Sequence, residues 1–135
     1  MGMSRIQEER NRITFPEAIK DVGLFRGDGS KEIAYWGYNP DQEYILFSNS
    51  PQLRDREGVI YIGHTTVGRN RLLPIRKEFF PDYGAKQLPS PVRESNRLSY
   101  GQRVYVGIMD ALPDSRYIGR LLHPSRVNAD LLGQV

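Results

Sequence analysis

The sequence predicts an α+β domain, a small mostly antiparallel sheet of three to four strands flanked by helices. Three observations lead there. The runs "EYILFSNS", "VIYIG" and "QRVYVGIMDA" are rich in β-branched and aromatic residues. The stretches "TFPEAIKDVGLF", "LPIRKEFF" and "PDSRYIGRLLH" read as helices from their spacing, caps and proline placement. The 135 residues, 39% of them hydrophobic, suffice for one core, so residues 1–135 read as a single domain.

Taken in order, residues 1–14 are charged and read as a loose extension or a helical turn or two. In "TFPEAIKDVGLF", Thr14 can cap, Pro16 and Glu17 suit a first turn, and Gly23 ends the helix. "RGDGSK" is turn chemistry, and its adhesion-like tripeptide is read as nothing more. "EIAYWGY" is a strand stopped by Asn39-Pro40-Asp41. "EYILFSNS" (43–50) and "VIYIG" (59–63), about ten residues apart, are expected to pair as a hairpin. "LPIRKEFF" (73–80) is expected to be a short helix with Pro74 in its first turn. Residues 81–101 form a long connection with three prolines and two glycines. In "QRVYVGIMDA" (102–111), Val104, Val106 and Ile108 share one face. "PDSRYIGRLLH" (113–123) places Tyr117, Ile118, Leu121 and Leu122 at helical spacing.

Composition narrows the chemistry. Nineteen Lys+Arg against 16 Asp+Glu give a formal charge of +3, which permits a nucleic-acid partner without requiring one. The absence of cysteine excludes disulfides, zinc–thiolate sites and thiol catalysis. His64 and His123 are too far apart in sequence to form a local metal motif. No apolar run approaches the ~20 residues of a membrane span, and the polar N-terminus is unlike a secretory signal. A cytoplasmic setting without membrane partners is therefore expected.

The stretch "GVIYIGHTTVGRNRLL" (58–73) poses the functional question. An apolar run empties into Arg69 and Arg71 at what reads as a helix entrance. That is either an ordinary connection with solvated arginines or a phosphate-handling site. Arg69, Arg71, Arg76 and Lys77 surround the candidate helix at 73–80, and Arg116, Arg120 and Arg126 lie along the last. On a shared face they would bind a nucleic-acid backbone; otherwise they are the solvated sides of two amphipathic helices.

Five features in order resemble the GIY-YIG nuclease family. They are Tyr61-Ile62-Gly63, Arg71-Leu72, Tyr44-Ile45-Leu46 with Asn49, "RVYVGIMDA", and "DSRYIGRLLHPSRVN" with Asp114, Ile118, Leu122-His123-Pro124 and Asn128. The resemblance spans roughly residues 43–128. Gln42-Glu43 stand where the family has Gly-Ile, and an aspartate stands where it has its metal-binding glutamate.

The resemblance implies a metal-dependent DNA endonuclease with Mg2+ or another divalent cation on Asp114. Magnesium takes hard oxygen ligands and keeps several waters, so one carboxylate can suffice. Arg71 would contact the scissile phosphate, its planar fork suiting two oxygens. Tyr44 would be the base, and Tyr61 and His64 would orient water or phosphate. Arg69, Arg76, Lys77, Arg116 and Arg120 would hold DNA, and a homodimer would cut both strands. Plainer roles stand beside these: core tyrosines, a loop histidine, and Asp114 as a helix N-cap. Glu94 and Asp110 are fallback acids. A non-catalytic nucleic-acid-binding module, or a protein-interaction domain using Tyr35, Trp36 and Tyr38, are the alternatives.

Overall fold

The computed structural model describes residues 2–8, 10–80, 90–123 and 126. The helix-flanked α+β expectation is not met: the domain is mostly β. Its strands are β1 (Gly2–Arg5), β2 (Arg12–Thr14), β3 (Glu32–Asn39), β4 (Tyr44–Ser48), β5 (Ile60–Val67), β6 (Leu72–Pro74), β7 (Arg103–Ala111) and β8 (Tyr117–Leu122). Among the described elements the one multi-residue α-helix, α1 (Glu17–Asp21), is five residues long. None of the described helices is long and apolar enough to cross a membrane.

Six strands form one antiparallel sheet in the order β1-β7-β8-β4-β3-β5. The expected hairpin between residues 43–50 and 59–63 does not form. Both strands pair with β3, one on each side: a tight turn after Asn39 returns β4 along β3, and β5 takes the other edge. Strands β2 and β6 make a separate ribbon. It spans the gap between the sheet's two edges. Gln7 N donates to Arg12 O across the β1–β2 turn at 3.0 Å, and Gly68 N donates to Leu72 O across the β5–β6 turn at 2.8 Å. The sheet thereby curls toward a barrel, and the unpaired edges of β1 and β5 are covered.

Alternation accounts for the barrel interior. Ala34, Trp36 and Tyr38 on β3, Ile45 and Phe47 on β4, and Val104 and Val106 on β7 are all buried, joined by Ile13, Leu73 and Ile75 from the ribbon. The outer face is covered as well: Leu53, in the 3-10 turn Pro51–Asp55, packs on Leu46, Ile118 and Leu112. This double burial explains why residues 113–123 read as a helix. On β8, Leu121 faces the interior while Ile118 faces the outer cluster, so the period of two is lost from the sequence. Gly119 is needed on this strand because a Cβ there would meet the Phe47 ring at 2.3 Å.

The expected helix at 73–80 is instead β6 followed by the 3-10 turn Lys77–Phe79. Its apolar residues feed the same core through Leu73, Ile75, Phe79 and Phe80. The expected loose N-terminus supplies β1 and β2. Of the long connection, residues 90–101 include a 3-10 turn at Glu94–Asn96, and 81–89 lie outside the described residues.

Candidate functional site

The stretch that raised the question is a strand, a turn and a strand. Gly68–Arg71 turn the chain from β5 into β6, and Leu72 N donates back to Arg69 O at 3.2 Å. Asn70 and Arg71 both hold left-handed backbone, with φ of 57° and 58°. That conformation is costly for an arginine, and the neighbouring backbone holds it in place. Arg71 N donates to Gly27 O at 3.1 Å, and Phe15 N donates to Arg71 O at 3.0 Å.

The partner turn, Arg26–Ser30, is itself built rigidly. The Glu32 carboxylate accepts from Arg26 N at 2.7 Å and Gly27 N at 3.0 Å. Asp28 accepts from the backbone and hydroxyl of Ser30, and these bonds hold its carboxyl below its ordinary pKa. The Arg69 side chain lies across Gly29, where a Cβ would meet its Nε at 2.6 Å.

Between the two turns and α1 lies an open concavity of about 460 Å³. Lys20, Arg26, Arg69 and Arg71 line it together with Glu17 and Asp28. Glu17 approaches Arg71 at 3.4 Å from a largely exposed position, so solvent screens that pair. Arg116 comes to the same end of the barrel. Its Nη1 donates to Asn49 O at 3.1 Å, and the Asn49 amide donates to Leu24 O at 3.0 Å, just ahead of Arg26. Lys20 on α1 and Arg26, Arg69, Arg71 and Arg116 on loops therefore lie at one barrel end. Arg69 and Arg71 were legible as arginines following a strand-like run, whereas Arg116 was read as part of a helix and proves to stand in the β7–β8 turn. Lys20 and Arg26 were not legible, since they arrive from a segment some forty residues upstream of the hairpin.

The motif tyrosines lie elsewhere. Tyr44 and Tyr61 do point to one face, as their alignment with Asn39 and Gly37 on β3 shows. The 51–59 segment packs between them, and Val59 sits directly over Gly37. The Tyr44 ring carries the Arg120 guanidinium at 4.8 Å and that of Arg126 at 5.2 Å, while Arg54 lies 5.8 Å from the Tyr61 ring. A bulge at Ile62-Gly63 turns His64 to the same outer face, 6.3 Å from the Tyr35 ring. Tyr61 and Arg71 are at opposite ends of β5, whose six steps from Tyr61 to Val67 alone span ~20 Å.

Arg76 makes a two-bond pair with Glu78 at 2.9 and 3.1 Å, and Lys77 is exposed beside it. Neither shares the concavity. Asp114 stands in the β7–β8 turn, where it accepts from the Ser50 hydroxyl and from Arg116 N at 3.1 Å, while its own N–H donates to Gln52 Oε1. The Ser50 bond, with Arg116 adding to it, holds its carboxyl below the ordinary range. One hydrogen bond to each oxygen holds the carboxylate in the turn, and the charge of Arg116 alongside disfavours a cation there. Asp110 is ion-paired with Arg56 at 2.8 Å, and Glu94 lies in its own 3-10 turn. Among the described residues, no three His, Cys, Asp or Glu side chains gather as a metal site. Pro124 and Asn128, named in the motif, lie outside the described residues.

Comparison with family models, curated proteins and solved structures finds no match, so the GIY-YIG resemblance rests on the quoted residues alone.

Proposed function

We propose that this domain is a non-catalytic nucleic-acid-binding module whose basic barrel end takes the phosphate backbone. The observation that carries the reading is the convergence of Lys20, Arg26, Arg69 and Arg71 on one open concavity. Two of these cations sit on a hairpin turn braced by Gly27, so the backbone that carries them is already ordered in the free protein and only their side chains remain to be fixed. Arginine forks suit phosphate oxygens, and the exposed setting keeps the contacts electrostatic and sensitive to salt.

Fluorescence anisotropy of a labelled DNA duplex tests this. With about four phosphates contacted, affinity falls roughly 100-fold between ~50 and ~200 mM salt. Replacing Arg69 and Arg71 together by Gln weakens binding and flattens the salt dependence by about two counterions. A double variant that binds as tightly as the parent removes this end as the interface.

Cleavage is the second reading. It is favoured by Arg71 lying in the concavity, with Glu17 and Asp28 as its nearby carboxylates. Magnesium-dependent nicking of plasmid that Arg71→Gln abolishes would replace the binding-only reading with an endonuclease.

A further inference from the structure

The opposite barrel end opens on a second concavity of about 300 Å³, between the start of β4, the end of β8 and the 3-10 turn Glu94–Asn96. That size is at the small end of sites for organic ligands. Its floor is apolar: Ile45, Leu98 and Leu121 are each at least 96% buried and form part of the interior cluster.

The rim carries a surplus of donors. The buried Tyr38 hydroxyl donates to Asn96 Oδ1, which fixes the amide and leaves its NH2 group on the other side. Gln102 accepts from Ser99 N through Oε1 at 2.8 Å, which leaves its Nε2 to donate. Arg97 spends Nε on Val92 O at 3.2 Å, keeping its two terminal nitrogens. Glu43 is the one acid among the described lining residues, and Arg93 pairs with it at 3.0 Å. Arg126 is engaged with the carbonyls of Gln42 and Glu43 and with the Tyr44 ring.

We propose that this mouth binds a small organic anion, its charged head against Asn96, Arg97 and Gln102 and its apolar body on Ile45, Leu98 and Leu121. The site is separate from the basic end and does not depend on nucleic-acid binding. Donors that outnumber the acceptors among the described residues call for an anionic head, and an apolar floor calls for a hydrocarbon body.

Thermal unfolding and titration calorimetry of the full chain with octanoate test the site. Octanoate raises the melting temperature saturably, whereas acetate and 1-octanol at equal concentration do not. A larger shift with octyl phosphate than with octanoate assigns the head to the phosphate class, and the reverse order assigns it to the carboxylates. Gln102→Glu keeps the acceptor for Ser99 N but sets a negative charge at the rim, and Arg97→Gln removes a positive one. Each weakens octanoate binding by about tenfold or more. A response to 1-octanol equal to that of octanoate overturns the proposal. So does the absence of any saturable response, or affinity unchanged in both variants.

Discussion

Gly27 lies so close beneath Arg71 that a Cβ on the glycine would come within 2.7 Å of the arginine's Cα. That nearest atom is backbone, and the ring of the buried Phe15 stands at 2.8 Å, so a larger residue finds little that can be pushed aside. Gly27 also holds a φ of 65°, which an L-residue adopts at a cost. Two turns distant in sequence are locked together at the concavity where the basic side chains meet.

Gly27→Ala is therefore expected to cost more than the ~1–2 kcal/mol of a left-handed alanine alone. Gly23→Ala is the control, since Gly23 has a similar φ of 81° and open space around it. Urea titrations should show a clearly larger loss of midpoint for Gly27→Ala. The same variant should weaken DNA binding at a urea-free pH where it remains folded. Equal midpoints would mean that the turns are not interlocked.

Gly119 is expected to be as intolerant for a different reason. Its φ is ordinary, but the Phe47 ring occupies the place of its side chain. Gly119→Ala should destabilise by about 1–3 kcal/mol through overpacking. Phe47→Leu combined with it should recover part of that loss, and a double-mutant cycle measures the coupling. Additive losses would place the clash elsewhere.

Thr65 bridges the buried Trp36 and the half-buried Pro74. It accepts from Trp36 Nε1 at 2.9 Å and donates to Pro74 O at 2.7 Å, tying β3 to the ribbon through β5. Thr65→Val keeps the shape and orphans both groups, at a cost of about 1–3 kcal/mol. Trp36 is the only tryptophan, so its fluorescence follows the unfolding directly. A midpoint within error of the parent would show that both groups find other partners.

Asp114 sets an acid limit. Its folded pKa is lowered, chiefly by the Ser50 hydroxyl, so its stabilising effect is present above the unfolded pKa near 3.8. That effect is lost as pH falls through the folded value. Ser50→Ala should raise the Asp114 titration in a carboxyl-resolved NMR experiment and move acid unfolding to higher pH. An unmoved titration would assign the shift to Arg116 instead.

Three strands were legible in the sequence with nearly their observed bounds, at residues 32–38, 43–50 and 102–111, and 59–63 found only the first half of β5, which runs on to Val67. They were legible because alternation and β-branching are local properties. β6 and β8 were not. Their apolar residues serve more than one packing surface, and Tyr117, Ile118, Leu121 and Leu122 match a helix and a doubly buried strand equally well. Nor could spacing reveal that β3 would separate β4 from β5, since strand order is a long-range choice that no local spacing encodes.

The sequence by itself determined the strand-forming segments, the basic balance, the absence of cysteine chemistry and the arginines of the 69–71 turn. Tertiary structure alone decided which residues join those arginines. Closure of the barrel carries Lys20 and Arg26 to Arg69 and Arg71, and sends Tyr44 and Tyr61 toward the other end. The physical reason is that strand order and register are long-range choices, made by what the whole core can bury rather than by any one segment.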